Sequence, residues 1–172
     1  YTTLFRSFNN ISSKVNKTEF KPLELEVGDE FTEIDYGDKM FVVNYEIDDV
    51  TGDGIKDMII IIGNKNDVAD TMANNIDVVT YDSENKSFIK GNLKKCSLNT
   101  PKLFLKDMNG DGINDIVLIG DNEDMTKTVK VLTIKDGESK EVFKNKDNKG
   151  LSFAGAFLDG FKAHTVARKI NF

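Results

Sequence analysis

The chain has 172 residues, of which 39% are hydrophobic and 30% charged, and its formal net charge is −6. This composition is typical of one globular domain, or of two small repeats with a shared core. No apolar run approaches about 20 residues, which predicts no membrane span, and the acidic balance without a basic patch argues against a nucleic-acid partner. Cys96 and His164 are the only cysteine and histidine, so a disulfide framework and a thiolate or imidazole zinc site are excluded within one chain.

The first 39 residues precede the repeated part of the chain. Residues 4–15 (LFRSFNNISSKV) place apolar side chains at helical spacing, which predicts a short N-terminal helix. From residue 23 the apolar period changes to two, and Gly-Asp pairs separate successive runs. This pattern predicts strands at 23–27, 31–36 and 40–47.

One acidic nonapeptide occurs twice, as DVTGDGIKD at 49–57 and as DMNGDGIND at 107–115, with six identical positions. An apolar run typical of a buried strand follows each copy. Each repeat therefore reads as strand, acidic loop, strand, turn, strand, turn, strand, and a final hairpin is predicted over 152–170. The other predicted strands are 58–62, 75–81, 86–90, 102–106 (with Pro101 at its start), 116–119, 128–134 and 139–143.

Loop positions are counted from Asp49 in the first loop and from Asp107 in the second. Oxygen-bearing side chains occupy positions 1, 3, 5 and 9 of both loops. Alternate side chains of a tightly coiled loop turn toward one point, and a hard cation such as Ca²⁺ takes six to eight oxygens at about 2.3–2.6 Å. Glycines at positions 4 and 6 allow the sharp turn that folds such a loop around an ion. We therefore predict two Ca²⁺ sites, with the backbone carbonyl of position 7 as a further ligand. The predicted ligands are Asp49, Thr51, Asp53, Ile55 and Asp57 in the first loop and Asp107, Asn109, Asp111, Ile113 and Asp115 in the second.

The loops have two other interpretations. Asp and Gly dominate ordinary turns, so the loops could be turn chemistry alone, but the match between the copies favours metal binding. An EF-hand or dockerin loop requires an acid at position 12 and helical surroundings. Position 12 is Ile60 in one copy and Leu118 in the other, both within predicted strands.

The D-x-[DN]-x-D-G-x-x-D pattern, closing on an aspartate at the start of a strand, resembles the FG-GAP/VCBS repeat of integrin-α-like β-propellers. The resemblance covers about residues 40–145, and the segments PKLFLKDMNGDGIND and AFLDGFK are similar to those of VCBS-repeat proteins from spore-forming Gram-positive bacteria. It implies Ca²⁺ on both loops, with Thr51 departing from the usual acid or amide at position 3. Two repeats cannot close a propeller of about four to eight blades.

We therefore expect an all-β fold of two blade-like, four-stranded antiparallel repeats, a propeller fragment or a sandwich-like packing, with a short N-terminal helix. Within a single domain, 1–172, the expected parts are the N-terminal helix and strands (1–39), the first calcium-loop repeat (40–97), the second (98–145) and a C-terminal hairpin (146–172). The N-terminal strands and the last hairpin are expected to cover the apolar faces of the repeats.

The catalytic inventory of the chain is small. His164 is interpreted as a strand residue and Cys96 as a small buried side chain, while Tyr36, Tyr45, Tyr81 and Phe88 are expected mostly in the core or in cross-strand pairs. We expect a non-catalytic, calcium-binding module of a secreted or cell-envelope protein, with a protein or carbohydrate ligand that the sequence does not identify. A start at Tyr1 is consistent with a removed signal peptide. The alternative is an accessory or partial catalytic domain of an envelope hydrolase, with structural calcium.

Overall fold

The computed structural model describes residues 19–67, 69–93, 96–123, 126–142 and 151–153. These residues form an all-β fold and contain no helix, which confirms the predicted class. The strands are β1 (Phe41–Asp48), β2 (Asp57–Asn64), β3 (Met72–Asp82), β4 (Ser87–Lys90), β5 (Leu98–Lys106), β6 (Asp115–Asp121), β7 (Lys127–Lys135), β8 (Glu138–Glu141) and β9 (Leu151–Phe153).

All strand pairs are antiparallel, and the sheet runs in the order β1-β2-β3-β5-β6-β7-β8, with β4 paired to β3 and β9 to β7. Strands β1–β4 form a first meander and β5–β8 a second meander. The two are joined where the first residues of β3, Met72 and Ala73, pair with Asn99 and Leu98 of β5. The order of strands and turns predicted within each repeat is therefore observed.

Strand β2 shows why the apolar runs form buried strands. All of its residues except Asn64 are buried, and alternate side chains leave opposite faces of the sheet. Ile59 and Ile61 enter one apolar cluster, whereas Met58, Ile60 and Ile62 enter another. A strand covered on both faces requires a continuous apolar run instead of an alternating one.

The first of these clusters is a core shared by the two meanders. Ile59 and Val78 of the first meander belong to it together with Leu118 and Leu132 of the second. Each of these side chains is at most 1% exposed, and full burial of such a side chain stabilises the fold by about 1.5–3 kcal/mol. The shared core therefore holds the two meanders together in addition to the β3–β5 pairing.

The N-terminal segment 19–40 covers the other face of the first meander. Phe31 and Met40 are buried there, and Leu23, Leu25 and Ile34 pack against the same cluster. The predicted strands 23–27 and 31–36 are wrong, because this segment is irregular and pairs with β1 only through an isolated bridge between Glu30 and Phe41. Leu23 and Leu25 of the alternating run face the core, whereas Val27 is 61% exposed. No regular ladder of backbone hydrogen bonds accompanies the alternation.

The prediction that Pro101 begins a strand is wrong, because Pro101 lies inside β5, which begins at Leu98. The register of the β5–β6 pair shifts between Asn99 and Lys102, and Thr100 has a φ of 44°. A bulge of this kind accommodates a proline, because the residue without an N–H falls outside the regular ladder. The strand continues on both sides of the irregularity.

Parts of the predicted architecture lie outside the described residues: the helix over 4–15 and most of the last hairpin, of which only the backbone of β9 is described. In the described part of the chain, no helix is long and apolar enough to cross a lipid bilayer.

Candidate metal centre

The two acidic loops occupy equivalent places in the two meanders. The first loop connects β1 to β2 and the second connects β5 to β6. Each closes between paired residues, Asp48 opposite Asp57 in the first meander and Lys106 opposite Asp115 in the second. The sequence repeat is therefore also a repeat of structural position.

The aspartate at position 1 organises each loop by accepting two backbone hydrogen bonds. Asp49 accepts them from the N–H groups of Gly52 and Gly54, at 2.7 and 2.8 Å. Asp107 accepts them from the equivalent glycines of the second loop, at 2.6 and 3.0 Å, and these bonds hold the pKa of its carboxyl below the usual range. All four glycines have positive φ, between 81° and 90°, a conformation that strains any side chain.

The aspartate at position 5 accepts one backbone hydrogen bond within its own loop turn. Asp53 accepts the N–H of Ile55 at 2.7 Å, and Asp111 accepts the N–H of Ile113 at 2.9 Å. Both carboxylates belong to exposed residues. They are therefore open to solvent and to a cation, while their positions are restrained by one backbone bond each.

The aspartate at position 9 is buried where the following strand begins. Asp57 accepts the N–H groups of Val50 and Thr51 through Oδ2, at 3.0 and 3.1 Å. Asp115 accepts those of Met108 and Asn109 in the same way, at 2.8 and 3.2 Å. Asp57 is 0% exposed and Asp115 is 1% exposed. This residue thus ties the start of each loop to the start of the next strand.

Burial raises the pKa of both position 9 carboxyls, because a low-dielectric environment disfavours the charged form. The pKa of Asp57 rises to about 6, and the hydrogen bond from Val50 opposes the rise. The pKa of Asp115 is also raised by burial and opposed by the hydrogen bond from Met108. A nearby positive charge would favour the ionised form of both groups.

The first loop contains two buried oxygens without a hydrogen-bond partner, Oδ1 of Asp57 and Oγ1 of Thr51. The Thr51 hydroxyl lies close enough to lower the pKa of Asp57 but does not make a hydrogen bond of normal geometry with it. In the second loop, Nδ2 of Asn109 donates to Oδ1 of Asp115 at 3.4 Å. Buried oxygen atoms normally have a hydrogen-bond partner. The two oxygen atoms of the first loop that have none are suited to be ligands of a hard cation.

The structure does not gather the predicted ligands into a closed coordination shell. Among the described residues, no three His, Cys, Asp or Glu side chains converge closely enough to hold an ion. The carboxylates of positions 1 and 9 face backbone N–H groups instead. Ile55 and Ile113 donate their N–H groups within the loops, and the ligand role of their carbonyls stays a prediction, as does the ligand set as a whole.

Glu84, in the turn between β3 and β4, is a carboxylate near the first loop that the sequence analysis missed. A hydrogen bond with Asp53, followed by the charge of Asp53, raises the pKa of the Glu84 carboxyl. The turn is held against the loop because Ser83 Oγ donates to the carbonyl of Lys56 at 2.7 Å. Glu84 lies outside the nonapeptide, in a turn that only the folded chain brings near the first loop, so the loop sequence does not predict its position.

The remaining candidates from the sequence have simpler roles. Cys96 is buried, as predicted, and burial raises the pKa of its thiol to about 11. Tyr81 and Phe88 form a cross-strand pair with ring centroids 5.1 Å apart, and Tyr36 and Tyr45 pack against the same apolar cluster. His164 lies outside the described residues.

Comparisons with known proteins give no family assignment: no protein-family model, no curated protein and no solved structure matches the chain.

Proposed function

We propose that the chain is a non-catalytic, calcium-binding β module of a secreted or cell-envelope protein, with a structural or recognition role. One observation supports this proposal more than any other. Two loops with closely similar acidic sequences make the same backbone hydrogen bonds to their first aspartate. Each loop also ends on a buried aspartate at the first residue of a core strand. In the first loop an oxygen of that aspartate has no hydrogen-bond partner.

One Ca²⁺ per loop is the proposed cofactor. Its ligands are the side chains of positions 1, 3, 5 and 9 and the carbonyl of position 7, a set of oxygens suited to a hard cation. Binding requires the carboxylates to exchange some backbone hydrogen bonds for the ion. The ion then neutralises closely spaced negative charges and allows Asp57 to be ionised in its buried position.

The task of the ions is structural in this proposal. Asp57 and Asp115 each begin a strand whose next residues are buried. Fixing these residues fixes the register of β2 and β6, and a shift of one residue would move every side chain of the strand to the opposite face of the sheet. Ligand recognition, of a protein or a carbohydrate, then depends on calcium through folding.

The meanders are proposed to be two blade-like repeats of the FG-GAP/VCBS kind. Each has four antiparallel strands in sequential order, and each contributes one face to the shared core. The N-terminal segment covers the outer face of the first. The arrangement supports a propeller fragment, or a sandwich-like packing of two repeats, more than a closed ring.

Thermal unfolding with and without calcium tests this function. The chain is stripped with a chelator and then compared in chelator, in about 10 mM Ca²⁺ and in the same concentration of Mg²⁺. A ligand at one hundred times its Kd stabilises by about 2.7 kcal/mol per site, which corresponds to a rise in Tm of about 5–10 °C for each occupied site, or about 10–20 °C for both, in a chain of this size. We expect this rise with Ca²⁺ and a smaller one with Mg²⁺.

Asp35 provides a matched control outside the loops, because it accepts the N–H of Gly37 at 2.7 Å in a similar Asp-x-Gly turn. Asp35→Asn should keep the full calcium response, whereas a variant with Asp53→Asn and Asp111→Asn should lose most of it. Identical unfolding curves for the unmodified protein in chelator and in calcium would refute the proposed metal sites.

A further inference from the structure

The two acidic loops are joined by the side chain of Asn114, at position 8 of the second loop. Its Oδ1 accepts the N–H of Asp107 at 3.0 Å, and its Nδ2 donates to Oδ2 of Asp48 at 2.9 Å. The other oxygen of Asp48 accepts the N–H of Asp49 at 3.0 Å. The backbone N–H groups of both position 1 aspartates are therefore held by one continuous chain of hydrogen bonds.

A packing contact joins the loops at a second place. A Cβ added to Gly52 would lie 2.4 Å from Cδ1 of Ile113, so the isoleucine at position 7 of the second loop rests on the backbone at position 4 of the first. Contact this close leaves little freedom for either loop to move alone. Gly52 is also one of the two residues whose N–H groups bond to Asp49.

We propose that the two loops form one coupled two-cation centre, in which Asn114 is a positioning residue and an ion in one loop raises the affinity of the other. This inference rests on the proposed calcium binding. The unpartnered oxygen of buried Asp57 is the feature that points to an ion in the first loop. The Asn114–Asp48 bond and the Ile113–Gly52 contact transmit the ordering of that loop to the second.

The coupling has a physical origin in shared ordering. An ion that fixes the backbone of one loop also fixes Asp48 and Asn114, so the second ion orders a loop that is already restrained and loses less conformational entropy. Repulsion between two divalent ions opposes this effect. The ions bring four positive charges to seven nearby aspartates, namely Asp48, Asp49, Asp53, Asp57, Asp107, Asp111 and Asp115, so the centre stays negative when both are bound.

Of the two residues at position 8, only Asn114 joins the two loops by a hydrogen bond. The residue equivalent to Asn114 in the first loop is Lys56, which is exposed and whose carbonyl accepts the hydroxyl of Ser83. Lys56 therefore lies toward the β3–β4 turn. Lys56→Ala is accordingly a matched control for Asn114→Ala, because it removes the same loop position without touching the bond between loops.

Calcium titrations by calorimetry measure the coupling. The affinity of the second loop is compared between the unmodified protein and Asp53→Asn, which weakens the first site, and the comparison is repeated with Asn114→Ala. We expect the affinity of the second loop to fall about fivefold or more when the first site is disabled. This difference should become clearly smaller with Asn114→Ala, which leaves the Ile113–Gly52 contact between the loops in place. Lys56→Ala should leave it unchanged.

A second readout separates coupling from a loss of structure. In the Asp107→Asn variant, in which the second site is weakened, added Ca²⁺ should still shift the amide NMR signals of Gly110 and Gly112. When Asn114→Ala is combined with Asp107→Asn, these shifts should be clearly smaller. Two ions that bind with independent affinities would leave the proposed calcium function intact and overturn the coupling. A protein that binds no calcium would overturn both.

Discussion

The hydroxyl of Tyr36 donates to Oδ2 of Asp77 at 2.9 Å, across 41 positions of sequence. Oδ1 of the same carboxylate accepts the N–H groups of Leu93 and Val78, at 2.9 and 3.0 Å. The ammonium of Lys90 lies 4.3 Å from the centre of the Tyr36 ring. A buried aspartate in β3 thus anchors both the N-terminal segment and the segment after β4.

Tyr36→Phe should lower the free energy of unfolding by about 1–2 kcal/mol, because a half-buried hydrogen bond to a charged acceptor is lost while the ring remains. Denaturant unfolding monitored by circular dichroism measures the change. Tyr45→Phe, in the same apolar cluster, controls for removal of a tyrosine hydroxyl as such. Equal costs for the two variants would show that the Asp77 bond contributes nothing specific.

The same tyrosine predicts a loss of stability at alkaline pH. Burial, and then the negative charge of Asp77, raise the pKa of Tyr36 far above its usual value. The unfolded chain releases this proton above about pH 10, whereas the folded chain retains it. The contribution of Tyr36 is therefore complete below pH 10 and is lost as the pH rises further. Tyr36→Phe should unfold with a shallower decline of stability between pH 9 and about pH 11, and parallel curves would contradict the prediction.

Asp57→Asn and Asp115→Asn should have opposite effects in calcium-free buffer at pH 7. The first removes a buried charge and an unpartnered oxygen, so a gain of about 1–2 kcal/mol is expected. The second places an amide against Nδ2 of Asn109 and should cost about 1 kcal/mol.

Acidification provides a check on this pair. The folded-state pKa of Asp57 is about 6, so near pH 4.5 the carboxyl is mostly protonated in the folded protein and the gain from Asp57→Asn should shrink. A gain that is constant with pH would show that charge is not its cause. Both variants should respond less to calcium than the unmodified protein.

The Cys96 thiol should react only when the fold opens. It is 4% exposed and has a pKa of about 11, so about one thousandth is thiolate at pH 8. Reaction with a disulfide reagent should be at least about a hundredfold slower in the folded protein than in denaturant. Calcium should slow it further, because fewer molecules are open at any moment. Rapid reaction of the folded protein would contradict the burial of this side chain.

Most strands could be predicted because their apolar runs end at glycine and aspartate turns. Strand β7 and the turn before β8 are examples, since Lys135 pairs with Glu138 across Asp136 and Gly137, both at positive φ. The segment 19–40 could not be predicted in the same way. Leu23 and Leu25 alternate with glutamates as strand residues do, but backbone pairing depends on a neighbouring strand, which a local pattern does not report.

The site was predictable within each loop and unpredictable between loops. The repeat places the aspartates and glycines at equivalent positions, and their hydrogen bonds are local. The bond from Asn114 to Asp48 spans 66 positions, and the approach of Glu84 to Asp53 depends on the β3–β4 turn. These two contacts arise from the packing of the meanders and cannot be predicted from the sequence of the nonapeptide.

Strand β3 is shared by the two meanders: its first residues pair with β5, and Val79 to Asp82 pair with β4. The two meanders therefore cannot be separated into independent sheets without breaking the pairing of β3. A cut after residue 93 would leave Ile59 and Ile61 facing water on one fragment and Leu118 on the other, because each set is buried by the other half. The repeats gain stability only by folding together, so melting of either one removes the support of its neighbour and the chain should lose its structure in a single step.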